Sequence, residues 1–459
     1  MTKELLRDRL LLILCAVLFI GLFNYVYITI VTKRWAYLGF TFESPPIKSM
    51  VLVLLLCLLP IFWMPIRLTR PSQVIYWLLY AIVYVPSLFL PHFMQRQSTQ
   101  DLYLLNISFF FSFCITGLTY KFPFLPVAHP KCSKNLWWFL IFFIAVLLYA
   151  AVLAVYGGRL QFSGLYNTEL RLAAREIDTT FLTGYGQVWL ANVINPIFMA
   201  VGLFRKKQLL FLIGVAGQIL LFMTAADKMF ILSIVFLPLL FILLRSKTNI
   251  FGLRFLLGMS LTLLLTILSG FYESIFSTII QDQLSLRFFS NAGFLTSVYS
   301  DFFSQNPWTY WSYIKGVNLF IQYPYNLPVG FLIGDYLGDV TNHASAHAWA
   351  TDGISSMGLS GVLIAGLIIG VIFYMLDISA IALDPRFSGL SIAMQGIVIS
   401  NTSIISTCLG GGLLFNMFLF WLMPRCTMSI RYVVPELKNK KLYTCRVRKR
   451  GMTLLILRP

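Results

Sequence analysis

Long apolar runs recur along the whole chain and are separated by short polar or charged segments. A run of about 20 apolar residues is long enough to cross a bilayer as a helix. The pattern therefore predicts an all-α polytopic membrane protein, a single integral membrane domain with about twelve spans. The predicted spans are 10–31, 50–66, 74–93, 102–118, 136–156, 187–204, 209–223, 229–244, 256–271, 358–375, 390–406 and 410–423.

Three segments outside these spans are long. Residues 157–186 form one loop, and residues 272–357 form a much larger loop between the ninth and tenth spans. The larger loop contains apolar stretches that predict short helices. Residues 425–459 form a tail rich in Lys and Arg.

Composition supports the membrane class. The chain is 58% hydrophobic and 11% charged, whereas soluble proteins have about 25% charged residues. A water-soluble fold of this length could not cover its surface with so few charges. The 41 Phe, 22 Tyr and 10 Trp exclude general disorder.

The charge distribution predicts the orientation. There are 35 Lys and Arg against 17 Asp and Glu, and most of the basic residues fall in alternate short segments and in the tail. Basic residues collect on the cytoplasmic side of membrane proteins. We therefore expect cytoplasmic termini, two long external loops and a tail resting on anionic membrane lipid. The net charge of +18 needs no nucleic-acid partner.

No sequence motif indicates a cofactor. The seven cysteines have no metal-ligand spacing, and none lies in the two predicted external loops. Phosphate-binding, dinucleotide-binding and nucleophile-elbow patterns are absent from the sequence. We therefore expect no nucleotide, no metal and no other cofactor.

The first external loop contains two arginines four residues apart, Arg171 and Arg175. In a helix they would lie on one face, and two guanidinium groups together suit an oxyanion such as pyrophosphate. A solvated helix face is equally consistent, with ion pairs to the neighbouring acids Glu169, Glu176 and Asp178.

A second candidate is the short turn between the seventh and eighth spans, which contains Asp227 and Lys228. Charges this close to the hydrocarbon are costly and are often functional. The alternative is that Lys228 reaches to the interface with Asp227 as its partner.

The large loop has the densest polar and aromatic content. Arg287, Tyr299 and Asp301 stand in largely apolar sequence, followed by the aromatics Trp308, Tyr310, Trp311, Tyr313, Tyr323, Tyr325 and Tyr336. The aromatic residues suit either a membrane-interface belt or a surface on which sugars stack. A belt alone does not explain Arg287 or Asp301.

Further along lie Asn342, His343, His347 and Asp352. The histidines are four residues apart, but the metalloprotease pattern is absent because position 344 is alanine. A zinc site is therefore not expected. The imidazoles could act as a general base, face a phosphate as imidazolium or simply line a polar surface.

These segments resemble the O-antigen (oligosaccharide repeat-unit) polymerases of the Wzy type. The resemblance rests on Arg287, the run from Tyr299 to Phe303, and Asn306-Pro307. It continues at 333–336, Asn342 and Thr351-Asp352-Gly353, and the plan of about a dozen spans with a large late loop is also similar. Lys228 stands where relatives more often have arginine. The histidines fall where many relatives carry asparagine or apolar residues.

The resemblance implies a GT-C-like glycosyltransferase of the bacterial inner membrane with its active site on the external face. Such an enzyme transfers a growing glycan from undecaprenyl pyrophosphate to the next lipid-linked repeat unit. Candidate pyrophosphate and substrate ligands are Arg171, Arg175, Lys228, Arg287, Tyr299 and Asn342. Candidate catalytic groups are Asp301, His343, His347 and Asp352. A chain-length regulator is left open as a partner.

Three alternatives stay open on the sequence. An O-antigen ligase would use the same donor but a lipid A-core acceptor. A lipid-linked oligosaccharide flippase or other transporter would carry charges within paired broken helices. An enzyme that transfers single sugars from a lipid phosphate would place an acid in the first external loop, where this chain has only Glu43.

Overall fold

The structure, a computed structural model, describes residues 3–125, 127–162, 180–245, 250–272, 274–339, 341, 343–381, 383–424, 443–445 and 454–456. These residues are helical almost throughout. The α-helices are Lys3–Val26, Thr32–Arg34, Ile47–Leu58, Ser72–Leu79, Val85–Met94, Thr99–Leu118, Lys134–Tyr156, Phe181–Trp189, Asn195–Arg205, Gln208–Ala225, Lys228–Leu244, Phe251–Ser269, Ile275–Ile280, Asn291–Gln305, Val329–Tyr336, Ser355–Ser379, Pro385–Ser391, Ala393–Ile399, Ile404–Leu409 and Leu413–Leu422. The π-helical segments are Tyr27–Val31, Tyr80–Tyr84, Leu190–Ile194, Gln281–Ser290 and Trp349–Ile354. The strands Tyr443–Cys445 and Leu454–Ile456 pair antiparallel.

Nine helices among the described residues are long and apolar enough to cross a membrane, so the chain is a multi-pass helical membrane protein. They are Leu6–Arg34, Ser72–Met94, Thr99–Lys121, Lys134–Arg159, Leu182–Arg205, Gln208–Ala225, Phe251–Ser269, Trp349–Ser379 and Ile404–Leu422, of which the last two contain the breaks described below. Ile47–Phe62 and Lys228–Leu244 are apolar but shorter. The described part of the chain thus gives nine candidate spans, and the expected number of about twelve stays a prediction.

The predicted span 390–406 is not a single helix. The chain there forms two seven-residue helices, Pro385–Ser391 and Ala393–Ile399, and then breaks before Ile404. A second break at 410–412 ends with Gly412, whose φ of +83° favours glycine. We call residues 385–422 the lower hairpin, because the chain enters the bundle before these breaks and leaves it at the same end after them.

The first long helix defines two ends of the bundle. We call the end at which it begins the lower end, and the end at Arg34 the upper end. At the lower end the Arg9 guanidinium donates to the carbonyls of Ile61 and Met64, at 2.6 and 2.7 Å. At the upper end Arg34 donates to the Gln281 side chain at 2.6 Å.

The helix Ser72–Met94 lies at the centre of the bundle and is wholly buried. It carries four large aromatic side chains with polar tips, Tyr76, Trp77, Tyr80 and Tyr84. These groups donate to the backbone carbonyls of Phe113, Pro65, Cys57 and Leu56, respectively. Each ring thus fills apolar space while its polar atom is satisfied by a neighbouring segment.

Two helices that are distant in sequence, Thr99–Leu118 and Ser355–Ser379, pack closely beside the central helix. The Thr116 hydroxyl donates to the carbonyl of Gly366 at 2.9 Å. A Cβ atom at Gly366 would clash with Ser112. Glycine at this position allows the close approach that small residues typically provide between membrane helices.

The chain reverses direction sharply near the start of the helix Ser355–Ser379. Met357 and Gly358 have non-helical backbone angles, and Gly358 has a φ of +58°. The carbonyl of Gly353 lies against Gly361, although the two residues would be about 12 Å apart in a continuous helix. Residues 348–379 therefore form a helical hairpin, the upper hairpin, with one short arm and one long arm.

The predicted large loop, 272–357, contains helices as expected, but much of it is built into the bundle. Its residues 275–305 form one continuous helical run. The second half, Asn291–Gln305, packs against Val85–Met94 and is largely buried. Thr296 and Ser87 share a hydrogen bond of 2.7 Å across this contact.

The two other predicted segments are only partly described. In the first loop, 157–186, the helix Phe181–Trp189 begins before the predicted end of the loop. Residues 163–179 of that loop lie outside the described residues. The tail, 425–459, also lies outside them apart from its two short strands.

A buried carboxylate holds the lower end of the central helix. Asp377, which has no solvent exposure, accepts hydrogen bonds from the amide and hydroxyl of Ser72 at 3.0 and 2.8 Å. The Arg70 guanidinium lies 4.0 Å from the same carboxylate. Asp377 thus joins the end of the upper hairpin to the first turn of the central helix.

We expect Asp377→Ala to lower the free energy of unfolding by about 3 kcal/mol, because it leaves buried donors and a cation without their acceptor. Thermal unfolding of the purified protein in detergent measures this. Asp8→Ala is the control, since Asp8 contacts the exposed Arg7 and should matter by less than about 1 kcal/mol. Equal melting of both variants and wild type would show that the Asp377 contact is not stabilising.

Candidate functional site

Two of the predicted cations meet at the upper end of the bundle. Lys228 begins the helix Lys228–Leu244, and Arg287 lies in the π-helical segment Gln281–Ser290. Lys228 Nζ is 3.6 Å and Arg287 Nε is 3.8 Å from the same oxygen, Oδ2 of Asp282. We call Lys228, Asp282 and Arg287 the charge cluster. It brings together two cations from different helices around one oxyanion.

The neighbouring Asp227 bonds to the backbone of the helix that follows it. Its Oδ1 accepts from the amide of Met229 at 3.0 Å and so caps the helix that Lys228 begins. The carboxylate of Asp282 lies within ion-pair distance of Lys228. The cap fixes the position of Lys228 at the end of its helix.

The π-helical backbone explains why Asp282 and Arg287 meet. They are five residues apart, and a π-helix bonds each residue to the fifth along the chain, which brings such pairs to one side. In an α-helix five positions turn the side chains about 140° apart. If the segment is assumed to be an α-helix, the sequence therefore does not predict a contact between Asp282 and Arg287.

Asp301 lies in a second polar group, with Arg96 and Tyr336. Arg96 Nη1 is 3.8 Å from Oδ2 of Asp301, and the Tyr336 hydroxyl donates to the same oxygen at 2.9 Å. The residue is 8% exposed. Its carboxylate is thus held in place by a cation and a phenol.

These two groups are separate. Arg287 and Asp301 lie in one continuous helical run, fourteen positions apart. At about 1.5 Å per residue the run separates them by about 20 Å. Along the chain the charge cluster and the group around Asp301 are therefore two distinct sites.

An aromatic surface lies beside Asp301. Rings of Phe302, Phe303, Tyr325 and Tyr336 contact one another at centroid distances of 4.9 to 6.3 Å. Tyr336 is 45% exposed, so part of this surface is open. Flat rings with polar tips can stack on sugars and bond to their hydroxyls.

Tyr299, in contrast, cannot contact a substrate in this conformation. It has no solvent exposure, and its hydroxyl donates to the carbonyl of Ala344 at 3.0 Å. Tyr299 thus joins the helix Asn291–Gln305 to the segment that contains the histidines.

His347 is buried and hydrogen bonded on both ring nitrogens. Nδ1 accepts from the amide of Ala350 at 3.3 Å, and Nε2 lies 2.8 Å from the Thr296 hydroxyl. Burial lowers the pKa of His347 to about 3. A neutral ring with its proton on Nε2 fits both contacts, and it has no free nitrogen with which to act as a base.

The second histidine is placed differently. His343 is exposed, and its ring packs edge-on against Phe331 with centroids 4.7 Å apart. Residues 343–347 are not helical, so the two histidines do not share a helix face. Three other candidates, Asn342, Arg171 and Arg175, lie outside the described residues.

Asp352 joins the two hairpins. Its carboxylate accepts from the hydroxyls of Tyr313 and Ser403, at 2.6 and 2.5 Å, and from the amide of Ile404 at 2.6 Å. Asp352 belongs to the upper hairpin and has no solvent exposure. Ser403 and Ile404 begin a helix of the lower hairpin. The carboxylate therefore caps that helix.

The sequence reasoning missed two charged residues that organise the upper end, Asp282 and Arg96. Arg96 falls on the predicted external side, against the tendency of basic residues to lie inside. A basic residue on the external side could therefore have marked Arg96 as a candidate site residue from the sequence alone. No comparable signal marked Asp282, because its contacts depend on the π-helical segment.

Comparison of the chain with protein-family models, with curated proteins and with solved structures gives no match. Among the described residues no group of three His, Cys, Asp or Glu side chains could hold a metal ion.

Acid should destabilise the fold through His347. The unfolded ring has a pKa near 6.5 and the folded ring a pKa of about 3, so unfolding takes up a proton below pH 6.5. Stability should fall by about 2 kcal/mol between pH 8 and pH 5 from this group. Thermal unfolding of wild type and His347→Gln against pH measures the effect.

The variant His347→Gln should lack that component of the pH dependence, whereas the control His343→Gln should keep it because His343 is exposed. Identical pH profiles for wild type and His347→Gln would contradict a buried, neutral His347.

Proposed function

We propose that the protein is a membrane glycosyltransferase that polymerises lipid-linked oligosaccharide repeat units. It transfers the growing glycan from undecaprenyl pyrophosphate to the next lipid-linked repeat unit, on the external face of a bacterial inner membrane. The observation that supports this most is the charge cluster, in which Lys228 and Arg287 surround one carboxylate oxygen. A diphosphate bound beside Asp282 lies within reach of the same two cations.

The chemistry needs neither nucleotide nor metal. A hydroxyl of the acceptor sugar attacks the anomeric carbon of the donor glycan, and the bond from that carbon to the pyrophosphate oxygen breaks. The hydroxyl proton passes to a carboxylate, for which Asp282 is the group in contact with both cations. Undecaprenyl pyrophosphate leaves with its charge neutralised by Lys228 and Arg287.

The other candidates take different roles in this proposal. Asp301 and the aromatic surface lie about 20 Å from the charge cluster along the helix, a separation that suits contacts to distant sugars of an extended glycan. His347 and Asp352 are buried, and their polar side-chain atoms are hydrogen bonded within the protein. We therefore assign them structural roles. His343 stays a candidate base because it is exposed. Arg171, Arg175 and Asn342 stay candidate ligands on the sequence alone, and Tyr299 supports the site from within.

Lys228→Ala and Arg287→Ala should each lower the polymerisation rate by about 10²–10³-fold, because each removes a cation that stabilises the leaving diphosphate. The assay uses purified protein with a lipid-linked repeat unit and measures product length. In cells, the ladder of surface-glycan lengths should collapse towards single repeat units. Arg171→Ala tests the candidate in the first loop in the same way.

Lys315→Ala is the matched control, because Lys315 is an exposed cation in the same large loop. It should leave the ladder intact. If Lys228→Ala and Arg287→Ala insert correctly and still give the full ladder of glycan lengths, the proposal that these cations bind the diphosphate is wrong. Loss of all surface glycan on deletion of the protein, in place of single repeat units, would indicate a ligase.

One feature favours a second candidate, transport of a lipid-linked oligosaccharide. The two broken hairpins meet at the buried carboxylate of Asp352. Charged residues within paired broken helices are typical of transporters. Vesicles that contain the protein and a fluorescent lipid-linked oligosaccharide distinguish the two functions. A transporter moves the lipid between leaflets without lengthening it, and Asp352→Asn should slow that movement. A polymerase lengthens the glycan without moving the lipid.

A further inference from the structure

A third cation is bonded to the helical run that carries part of the charge cluster. Arg34 ends the first long helix, Leu6–Arg34. Its Nη1 donates to Oε1 of Gln281 at 2.6 Å, and its Nη2 donates to Oγ1 of Thr278 at 3.0 Å. Both acceptors lie in the run 275–305, which also carries two members of the charge cluster. Arg34 thus fixes the end of the first helix to this run.

The side of the run that Arg34 contacts is also the side of Asp282. Thr278 and Asp282 are four residues apart, and four residues make close to one full turn of an α-helix. Their side chains therefore point only about 40° apart, and such neighbours have Cβ atoms about 6 Å from each other. Gln281, where the π-helical spacing begins, directly precedes Asp282. The Arg34 guanidinium is thus held within about one helical turn of the carboxylate at the centre of the charge cluster.

The groups that hold Arg34 do not neutralise its charge. Both acceptors are neutral side-chain oxygens, and none of the ion pairs among the described residues includes Arg34. The Trp35 ring, which is buried, lies 5.5 Å from Cζ of Arg34 and restricts the guanidinium further. The Arg34 side chain is exposed. It is therefore a fixed cation that a solvated anion can reach.

The charge cluster by itself has too little positive charge for a diphosphate. A diphosphate that links a lipid to a glycan carries two negative charges, one on each phosphate. Lys228 and Arg287 bring two positive charges and Asp282 brings one negative charge, so these three residues have a net charge of +1. The uncompensated charge of Arg34 raises the net charge to +2. With Arg34 the site matches both phosphates.

We propose that Arg34 is a third ligand of the diphosphate and the residue that makes the site prefer a lipid diphosphate to a lipid monophosphate. A guanidinium has five N–H donors, and the contacts to Thr278 and Gln281 use two of them. Three donors are left for phosphate oxygens. The inference rests on the proposed function, because it assumes that the charge cluster binds the first phosphate.

Binding of two lipids to the purified full-length protein in detergent tests this role. The probes are undecaprenyl pyrophosphate and undecaprenyl monophosphate, titrated separately while tryptophan fluorescence is recorded. Wild type should bind the pyrophosphate more tightly. Arg34→Gln should weaken binding of the pyrophosphate about tenfold, the loss typical of a hydrogen bond between charged groups, and leave binding of the monophosphate nearly unchanged.

Lys33→Gln is the matched control, because it removes one positive charge from the exposed neighbouring residue. It should leave both affinities unchanged. Arg34→Lys keeps the charge but loses the planar fork of donors, so its affinity for the pyrophosphate should lie between those of wild type and Arg34→Gln. Equal Tm of the variants and wild type shows that the fold is intact.

The outcomes separate this inference from the proposed function. If Lys228→Ala and Arg287→Ala lose affinity for the pyrophosphate while Arg34→Gln keeps it, only the role of Arg34 is overturned. Equal affinity of wild type for the two lipids would overturn that role even if no Arg34 variant folds. Absence of saturable binding of either lipid to wild type would overturn the diphosphate site itself.

Discussion

Inside a membrane every backbone and side-chain polar group has to find its partner within the protein, because lipid offers none. The central helix meets this requirement with aromatic residues whose polar tips donate to carbonyls of neighbouring segments. Asp377 and Asp352 meet it at helix ends, where unpaired amides would otherwise be buried. Many of the contacts that hold the bundle together are therefore hydrogen bonds between segments distant in sequence.

The same requirement explains where helices can break. The lower hairpin breaks at residues 400–403, and there the carboxylate of Asp352 caps the helix that follows. A second break, at 410–412, has its Gly411 carbonyl bonded to Gln395. The π-helical segment Leu190–Ile194 likewise receives donors from Gln218 and Gln395. Irregular backbone is tolerated in this bundle because side chains from other helices take over its hydrogen bonds.

These breaks divide the polar chemistry between two places. Charged groups that can meet a solvated anion collect at the upper end, where Lys228 and Arg287 each contact Asp282. Neutral amides collect between the lower hairpin and the π-helical segment, where a full charge would be expensive unless it is compensated.

The sequence by itself determined the membrane class, most of the helices and the presence of Lys228 and Arg287 in polar segments between apolar runs, because these follow from local hydrophobicity and charge. Hydrophobicity alone could not show that 390–406 is broken, since broken and continuous segments are equally apolar. Nor could it show that Asp282 joins the cations, because that contact needs five-residue π-helical spacing. The burial of His347, Tyr299 and Asp352 was also decided by tertiary structure. Their hydrogen-bond partners come from distant parts of the chain, so no local pattern records them.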